Sequence, residues 1–357
     1  MASGIAALSA ALALSACGGS ADSGSPAAAG GEGSPLVGAG STTQLVAQES
    51  WIEEFEEREP AISVSYEPAA SGGRQRFIAG DAAYAATDSP LEGAGLRQAV
   101  RRCRPGHLVE VPAYLSKIKV GINVGSLAFI NLTPRTLARV FNGGIERWSD
   151  PEIRRENPTV AKRLDGPITI LYPAGKSGLT ANLTEYLSEA APKIWRYGST
   201  EAWPLPTDGI AVSSSTKMAP AIDARRGAIG FADASQSSTL RPVLIKVGNQ
   251  ITPPDLGSSI SVLEASSEAK DLKASPDMLP FDLERPYGQR NVYPLVFTSY
   301  LVACTRYDRA GEGASLRRFL EYAISPEGQE VSAREASSDP LAGKPQKQAE
   351  AAVRAIE

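Results

Sequence analysis

Histidine occurs once in the 357 residues, at His107, and cysteine three times. So few soft ligands argue against a histidine-built metal site and a Cys-rich zinc module, and leave no spare histidine for a Ser-His-Asp triad. Positive charge is not in surplus. The chain carries 36 Lys and Arg against 40 Asp and Glu, and its pI near 5.4 argues against nucleic acid, which demands a basic face. No internal repeat with a period of about 20–50 residues is visible, which speaks against solenoids and propellers. What is present suits a globular protein: 42% hydrophobic and 21% charged residues, enough to bury a core. At roughly 100–200 residues per domain, the length predicts two domains or one domain split into two lobes.

The apolar run at residues 5–16 falls short of the ~20 residues a spanning helix needs. It ends in Leu14-Ser15-Ala16-Cys17, which resembles the lipobox of bacterial lipoproteins, with small residues before the cysteine that is cut and lipidated. Residues 1–16 carry no Lys or Arg, unlike the usual signal. Residues 1–16 are therefore expected to be a lipoprotein signal peptide, with Cys17 as the lipid anchor. Residues 17–34, rich in Gly, Ser and Ala, cannot bury apolar surface and are expected to be a flexible tether. Cleavage leaves Cys103 and Cys304 in an exported chain, and an even pair outside the cytosol predicts one disulfide.

From Leu36 the sequence alternates strand and helix signals. Leu36-Val37 lead into Gly38-Ala39-Gly40; Ser41, Thr42 and Thr43 stand where a helix would be capped. The next stretch is expected to bury Leu45, Trp51, Ile52 and Phe55 and to show Glu53, Glu54, Glu56 and Glu57 to water. Ile62, Val64 and Tyr66 then alternate as a strand, completing a β-α-β unit. A second round runs through Ser71-Gly72-Gly73, Phe77 and Ile78 to Thr87-Asp88. The same grammar recurs in the middle, where Leu179, Leu183, Tyr186, Leu187 and Ala190 share one helix face. The fold class is α/β with parallel sheets.

Three turns place small hydroxyls and glycines between a strand's carboxyl end and a helix's amino end: Ser41-Thr42-Thr43, Ser71-Gly72-Gly73 and Ser177-Gly178. Free amides and the helix dipole make such turns anion sites, and open α/β sheets bind ligands at those ends. Competing motifs fail. Gly38-x-Gly40-x-x-Thr43 lacks a third dinucleotide glycine, and the P-loop glycine expected before Gly175-Lys176-Ser177 is Ile170. Ser214-x-x-Lys217 lacks its companion elements.

The chain resembles the PstS family, the phosphate-binding proteins of the bacterial phosphate ABC importer, and especially its actinobacterial lipoprotein branch. The resemblance spans roughly residues 36–357. It is carried by Gly38-Ala39-Gly40-Ser41-Thr42, YEPAASGGRQRFIAG (66–80), AATDSPL (85–91), VFNGGIERWSDPEI (140–153), GAIGFADASQ (227–236) and VYPLVFTSYLVACTRYD (292–308). It implies a type II periplasmic-binding-protein fold: two parallel-rich sheets in two lobes, joined by two extended crossovers that close over one phosphate. Lobe 1 would comprise 35–112 and 294–357, and lobe 2 would comprise 113–293. By position, Thr42 and the Thr43 amide would cap the anion and Ser71 would donate to it. Asp88 would accept from its proton and so discriminate against sulfate, and Ser177 and Gly178 would bind from lobe 2.

The family's second-lobe turn usually reads Arg-Ser-Asp-x-Ser-Gly-Thr-Thr, whereas residues 173–180 here read Pro-Ala-Gly-Lys-Ser-Gly-Leu-Thr. Pro173 stands in place of a guanidinium, Gly175 of an acid and Leu179 of a ligand hydroxyl; Lys176 is the one charge left in that turn. Weak phosphate binding is the expectation unless Lys176 or Arg74 swings in. The resemblance implies a lipid-anchored solute-binding protein on the extracytoplasmic face of the cell membrane, a monomer that is not an enzyme. It would need no metal or cofactor, and its partners would be inorganic phosphate or a related small oxyanion, and an ABC permease. The alternative is a diverged, non-transport paralogue acting as a sensor or surface module. A phosphate-ester hydrolase would need clustered metal ligands or an activated nucleophile that the sequence does not offer.

Overall fold

Strand and helix alternate from Leu36, as the pattern predicts. The structure is a computed structural model that describes residues 35–69, 71–205, 209–247, 250–254, 260–285 and 292–357. The expected signal peptide, Cys17 and the expected tether lie outside the described residues. Two β-α-β rounds comprise β1 (Leu36–Gly40), α1 (Leu45–Arg58), β2 (Val64–Pro68), α2 (Ser71–Ala79) and β3 (Tyr84–Thr87), followed by α3 (Gly93–Arg102). The long β4 (Leu108–Ile122) leads to β5 (Ile130–Leu132), α4 (Pro134–Phe141), α5 (Pro151–Glu156), β6 (Thr169–Pro173) and α6 (Gly178–Ala190). Next come β7 (Ile210–Val212), α7 (Met218–Ala224), β8 (Ala228–Asp233), β9 (Arg241–Val247), β10 (Gln250–Thr252) and α8 (Ile260–Ala265). The chain finishes with β11 (Ser267–Glu268), β12 (Phe281–Asp282), β13 (Val296–Cys304), α9 (Glu312–Ile324), α10 (Pro326–Ala336) and α11 (Gly343–Val353).

The principal sheet runs β2-β1-β3-β13-β4-β8-β6-β7. At its two ends the strands are parallel: β1 with β2 and β3, and β6 with β7 and β8. In its middle they are antiparallel, because β13 pairs with both β3 and β4, and β4 pairs with β8. Two large cores and two smaller ones lie along this path. The first lobe packs Trp51, Phe55, Tyr84, Phe319 and Leu320; the second packs Phe141, Trp148, Tyr186, Trp195 and Phe231. Strand β4 enters the first core with Val109–Leu115 and the second with Ile118–Ile122, and β13 is shared in the same way. These two crossovers pair with each other from Val296–Lys117 to Cys304–Leu108, with a bulge between Ser299 and Tyr300. Lys117 is buried there in an ion pair with Asp339 at 2.6 Å.

Local chemistry explains the motif around Trp148. Asp150 caps α5 by accepting from the Glu152 amide, Pro151 occupies the first turn, and the Trp148 indole donates to Gly227 O at 3.1 Å. Thr133 and Pro134 start α4 in the same way. Helix α1 departs from expectation in one respect. Leu45 and Ile52 are half-buried, while Ala47 and the polar Gln48 are buried, because Gln48 Oε1 accepts from the Tyr84 hydroxyl at 2.8 Å. Cys103, just after α3, is bonded to Cys304 at the end of β13, with Cα atoms 5.1 Å apart. The bond staples two segments of the first lobe that lie 201 residues apart.

Candidate functional site

The turn after β1 lies beside the carboxyl end of β3, because β1 and β3 are adjacent and parallel. Helix α2 comes close to it: a Cβ on Gly73 would stand 2.3 Å from Gly40 Cα, so that contact tolerates only hydrogen. Asp88 follows β3 and is buried. Its Oδ2 accepts from Thr43 Oγ1 at 2.7 Å and from Ser41 Oγ, while Ser299 Oγ stands 3.5 Å from Oδ1. Burial pushes the Asp88 carboxyl up, and the hydroxyls of Ser41, Thr43 and Ser299 together with the Gln44 amide pull it back.

The first turn therefore works differently from a plain helix cap. The residue before α1 is Gln44, whose side chain caps nothing. It donates instead to Thr87 O at 2.9 Å and Tyr300 O at 3.3 Å. The Ser41 and Thr43 hydroxyls fix Asp88, and the Thr43 amide donates to Ser41 Oγ at 3.2 Å. Nothing is described of the Ser71 side chain, although its backbone opens α2.

The second lobe meets this turn directly. Ser177 precedes α6, and Gly178 starts it so close to Asp88 that an added Cβ would lie 2.8 Å from Asp88 Cβ. Asn182 Nδ2 donates both to Asp88 O at 2.7 Å and to Gly178 O at 2.8 Å, tying the helix to the opposite lobe. Ser215 Oγ donates to Thr42 Oγ1 at 2.6 Å, and Gln236 Nε2 donates to Thr42 O. Thr42, Asp88, Ser177 and Gly178 thus line one cavity of about 30 Å³, together with Ser41, Arg74 and Glu201. That volume exceeds the ~10–15 Å³ a single water needs.

Two departures of the second-lobe turn have clear positions. Pro173 is buried in β6 beside Val212, and Leu179 is buried in the second core. The Lys176 side chain is 64% exposed and lies 3.7 Å from Glu201. Arg74 is 18% exposed and its Nη2 donates to Glu201 Oε1 at 2.7 Å. A neighbouring cavity of about 260 Å³ touches Asp88 and carries Glu92, Glu185, Glu201 and Asp282, carboxylates that repel an oxyanion. Sequence reasoning did not single out Ser299, Asn182, Ser215, Gln236 or Glu201. Gln236 and Ser299 fall inside stretches that carry the family resemblance but had no role assigned, and all five reach the site through tertiary packing.

Comparison with known proteins identifies the family. Residues 21–327 match the family model described as a PBP superfamily domain. The chain is 28% identical over 343 residues to phosphate-binding protein PstS 2 of Mycobacterium tuberculosis, covering 89% of this chain and 88% of the relative. It is 24% identical over 298 residues to PstS of Haemophilus influenzae, covering 81% and 84%. Among solved structures it superposes on a periplasmic phosphate-binding protein, PfluDING bound with phosphate, with a TM-score of 0.73 at 18% identity, covering 89% of this chain and 93% of that one. A phosphate-binding protein from Stenotrophomonas maltophilia gives 0.67 at 17%, covering 89% and 94%. The chain belongs to the PBP superfamily and is a homologue of the PstS phosphate-binding proteins.

Proposed function

We propose that this protein captures inorganic phosphate outside the cytoplasm and delivers it to a membrane ABC permease, tethered by a lipid on Cys17. The observation that carries the reading is Asp88, a buried carboxylate steadied by Thr43 and Ser41 at the point where both lobes meet. A fixed acceptor facing an anion favours a ligand that brings its own proton and penalises one that has none. Thr42, Ser71, Ser177 and Gly178 complete the proposed ligand set from both sides of the cleft, with Thr43 serving it by holding Asp88.

The proposed role is one of binding and delivery; its homologues are named for phosphate binding. The proposed organisation is a signal peptide at 1–16, a tether at 17–34, lobe 1 at 35–112 and 294–357, and lobe 2 at 113–293. The sharing of β4 and β13 between two cores fits two lobes, although Ala113, Leu115, Leu263, Leu279 and Phe281 pack on the first-lobe side of these bounds. Titration calorimetry of the mature chain tests the function: phosphate should bind with a 1:1 stoichiometry and sulfate should not compete. Absence of phosphate binding would favour the diverged sensor or surface module, to which the missing second-lobe guanidinium at Pro173 points.

A further inference from the structure

We propose that Arg74 supplies the positive charge for the bound anion, and that Glu201 positions it across the closed cleft. This rests on the phosphate reading above. An oxyanion stripped of water needs donors and charge in return, and the second-lobe turn provides neither a guanidinium nor a buried cation. Arg74 lines the same cavity as Thr42, Asp88, Ser177 and Gly178. Its five-donor fork suits an oxyanion, and the ion pair with Glu201 engages Nη2.

Glu201 is itself held to the second-lobe turn. Its carbonyl accepts the Ser177 amide at 2.8 Å, so the backbone that carries the carboxylate is part of the ligand loop. The neighbouring residues brace it, since Thr200 N donates to Thr184 Oγ1 at 2.9 Å and Ser199 Oγ donates to Ala181 O at 3.1 Å. One residue thus fixes Ser177 through its main chain and Arg74 through its side chain. The pair spans 127 residues and joins the two lobes, so the guanidinium is held here by a residue of the opposite side. Lys176, mostly exposed, balances Glu201 from the rim.

The test is calorimetric titration with inorganic phosphate of the unmodified mature chain, Arg74→Gln, Arg74→Lys and Glu201→Gln, each checked by thermal melting. Both neutral variants break the same ion pair, so a purely structural bridge predicts equal losses of affinity. Charge supply by Arg74 predicts unequal ones: about 100-fold or more weaker binding for Arg74→Gln, and no more than about tenfold for Glu201→Gln. Arg74→Lys, which keeps charge without the fork, falls between and serves where the neutral variant does not fold. Equal losses, or phosphate affinity unchanged in Arg74→Gln, overturn the proposal while leaving the phosphate reading intact. An unmodified chain that binds no phosphate overturns that reading, and this one with it.

Discussion

Thr43 Oγ1 donates to Asp88 Oδ2 at 2.7 Å, and the carboxylate that receives it is buried. A hydrogen bond to a charged group is worth ~1.5–3 kcal/mol. Thr43→Val should lower the unfolding free energy by about that amount in urea titration. Asp88→Asn should bring phosphate and sulfate affinities together, because an amide offers sulfate a donor where the carboxylate offered an acceptor. Selectivity left intact by Asp88→Asn would remove this residue from the ligand set.

The close approach of Gly178 to Asp88 gives a second test. A methyl group there would meet Asp88 Cβ at 2.8 Å, below van der Waals contact. Gly178→Ala should keep its melting temperature, since the helix start itself tolerates alanine, yet lose phosphate affinity because the lobes cannot close fully. Small-angle scattering should show a larger radius of gyration with phosphate present than for the unmodified chain. Full closure in the variant would show that the contact yields.

Glu110, on β4, is fully buried; burial pushes its carboxyl up to about 8, while the Leu91 amide pulls it down. The folded protein keeps this proton well past the pH at which an unfolded chain loses it, near ~4.3. Between those limits the folded state binds more protons, so stability falls as pH rises, by at most ~1.4 kcal/mol per unit, and levels off above about 8. Asp233, raised to about 6 by burial, acts in the same direction at lower pH. Denaturant titrations between pH 6.5 and 8 should show the decline, and Glu110→Gln should flatten it. An equal slope in the variant would mean that Glu110 is ionised throughout.

The Cys103–Cys304 bond closes a long loop, with a sequence separation of 201. Chain entropy assigns such a loop on the order of 5 kcal/mol, and engineered bridges often deliver less. Cys103→Ser together with Cys304→Ser should therefore lower the melting temperature while leaving phosphate affinity near its original value, since neither sulfur lines the ligand cavity. A non-reduced digest of exported protein should contain the linked peptide pair.

Anchoring is tested at Cys17. Cys17→Ser should move the protein from the membrane fraction into the medium, or leave it unprocessed with the longer leader. A variant that stays in the membrane with unchanged mobility would exclude lipidation at this residue.

The alternating apolar pattern makes both β-α-β rounds readable, because strand and helix periodicities are local. The family motifs bring Asp88 and Thr42 into view for the same reason: each lies in a contiguous turn. Ser41 and Thr43 read as helix caps, since hydroxyls before a helix usually are, and their bonds to Asp88 depend on β3 lying beside β1. Glu201 is silent in sequence. Its loop has no periodic pattern, and its partner stands 127 residues away on another lobe. Leu179 reads two ways in sequence: the helix face it shares with Leu183, Tyr186 and Leu187 predicts that it packs inward, as it does, while the family alignment sets it against a ligand hydroxyl.

The pairing of β4 with β13 has a mechanical consequence. Hydrogen bonds from Val296–Lys117 to Cys304–Leu108 make the connection between the lobes a two-stranded ribbon rather than a pair of slack linkers. A ribbon resists stretching and in-plane shear, which would break those bonds, but yields to twist and to bending across its thin direction. The bulge at Ser299 and Tyr300 concentrates that compliance where Ser299 approaches Asp88. Relative rotation of the two lobes is thus favoured over stretching or sliding, at a point that lies beside Asp88.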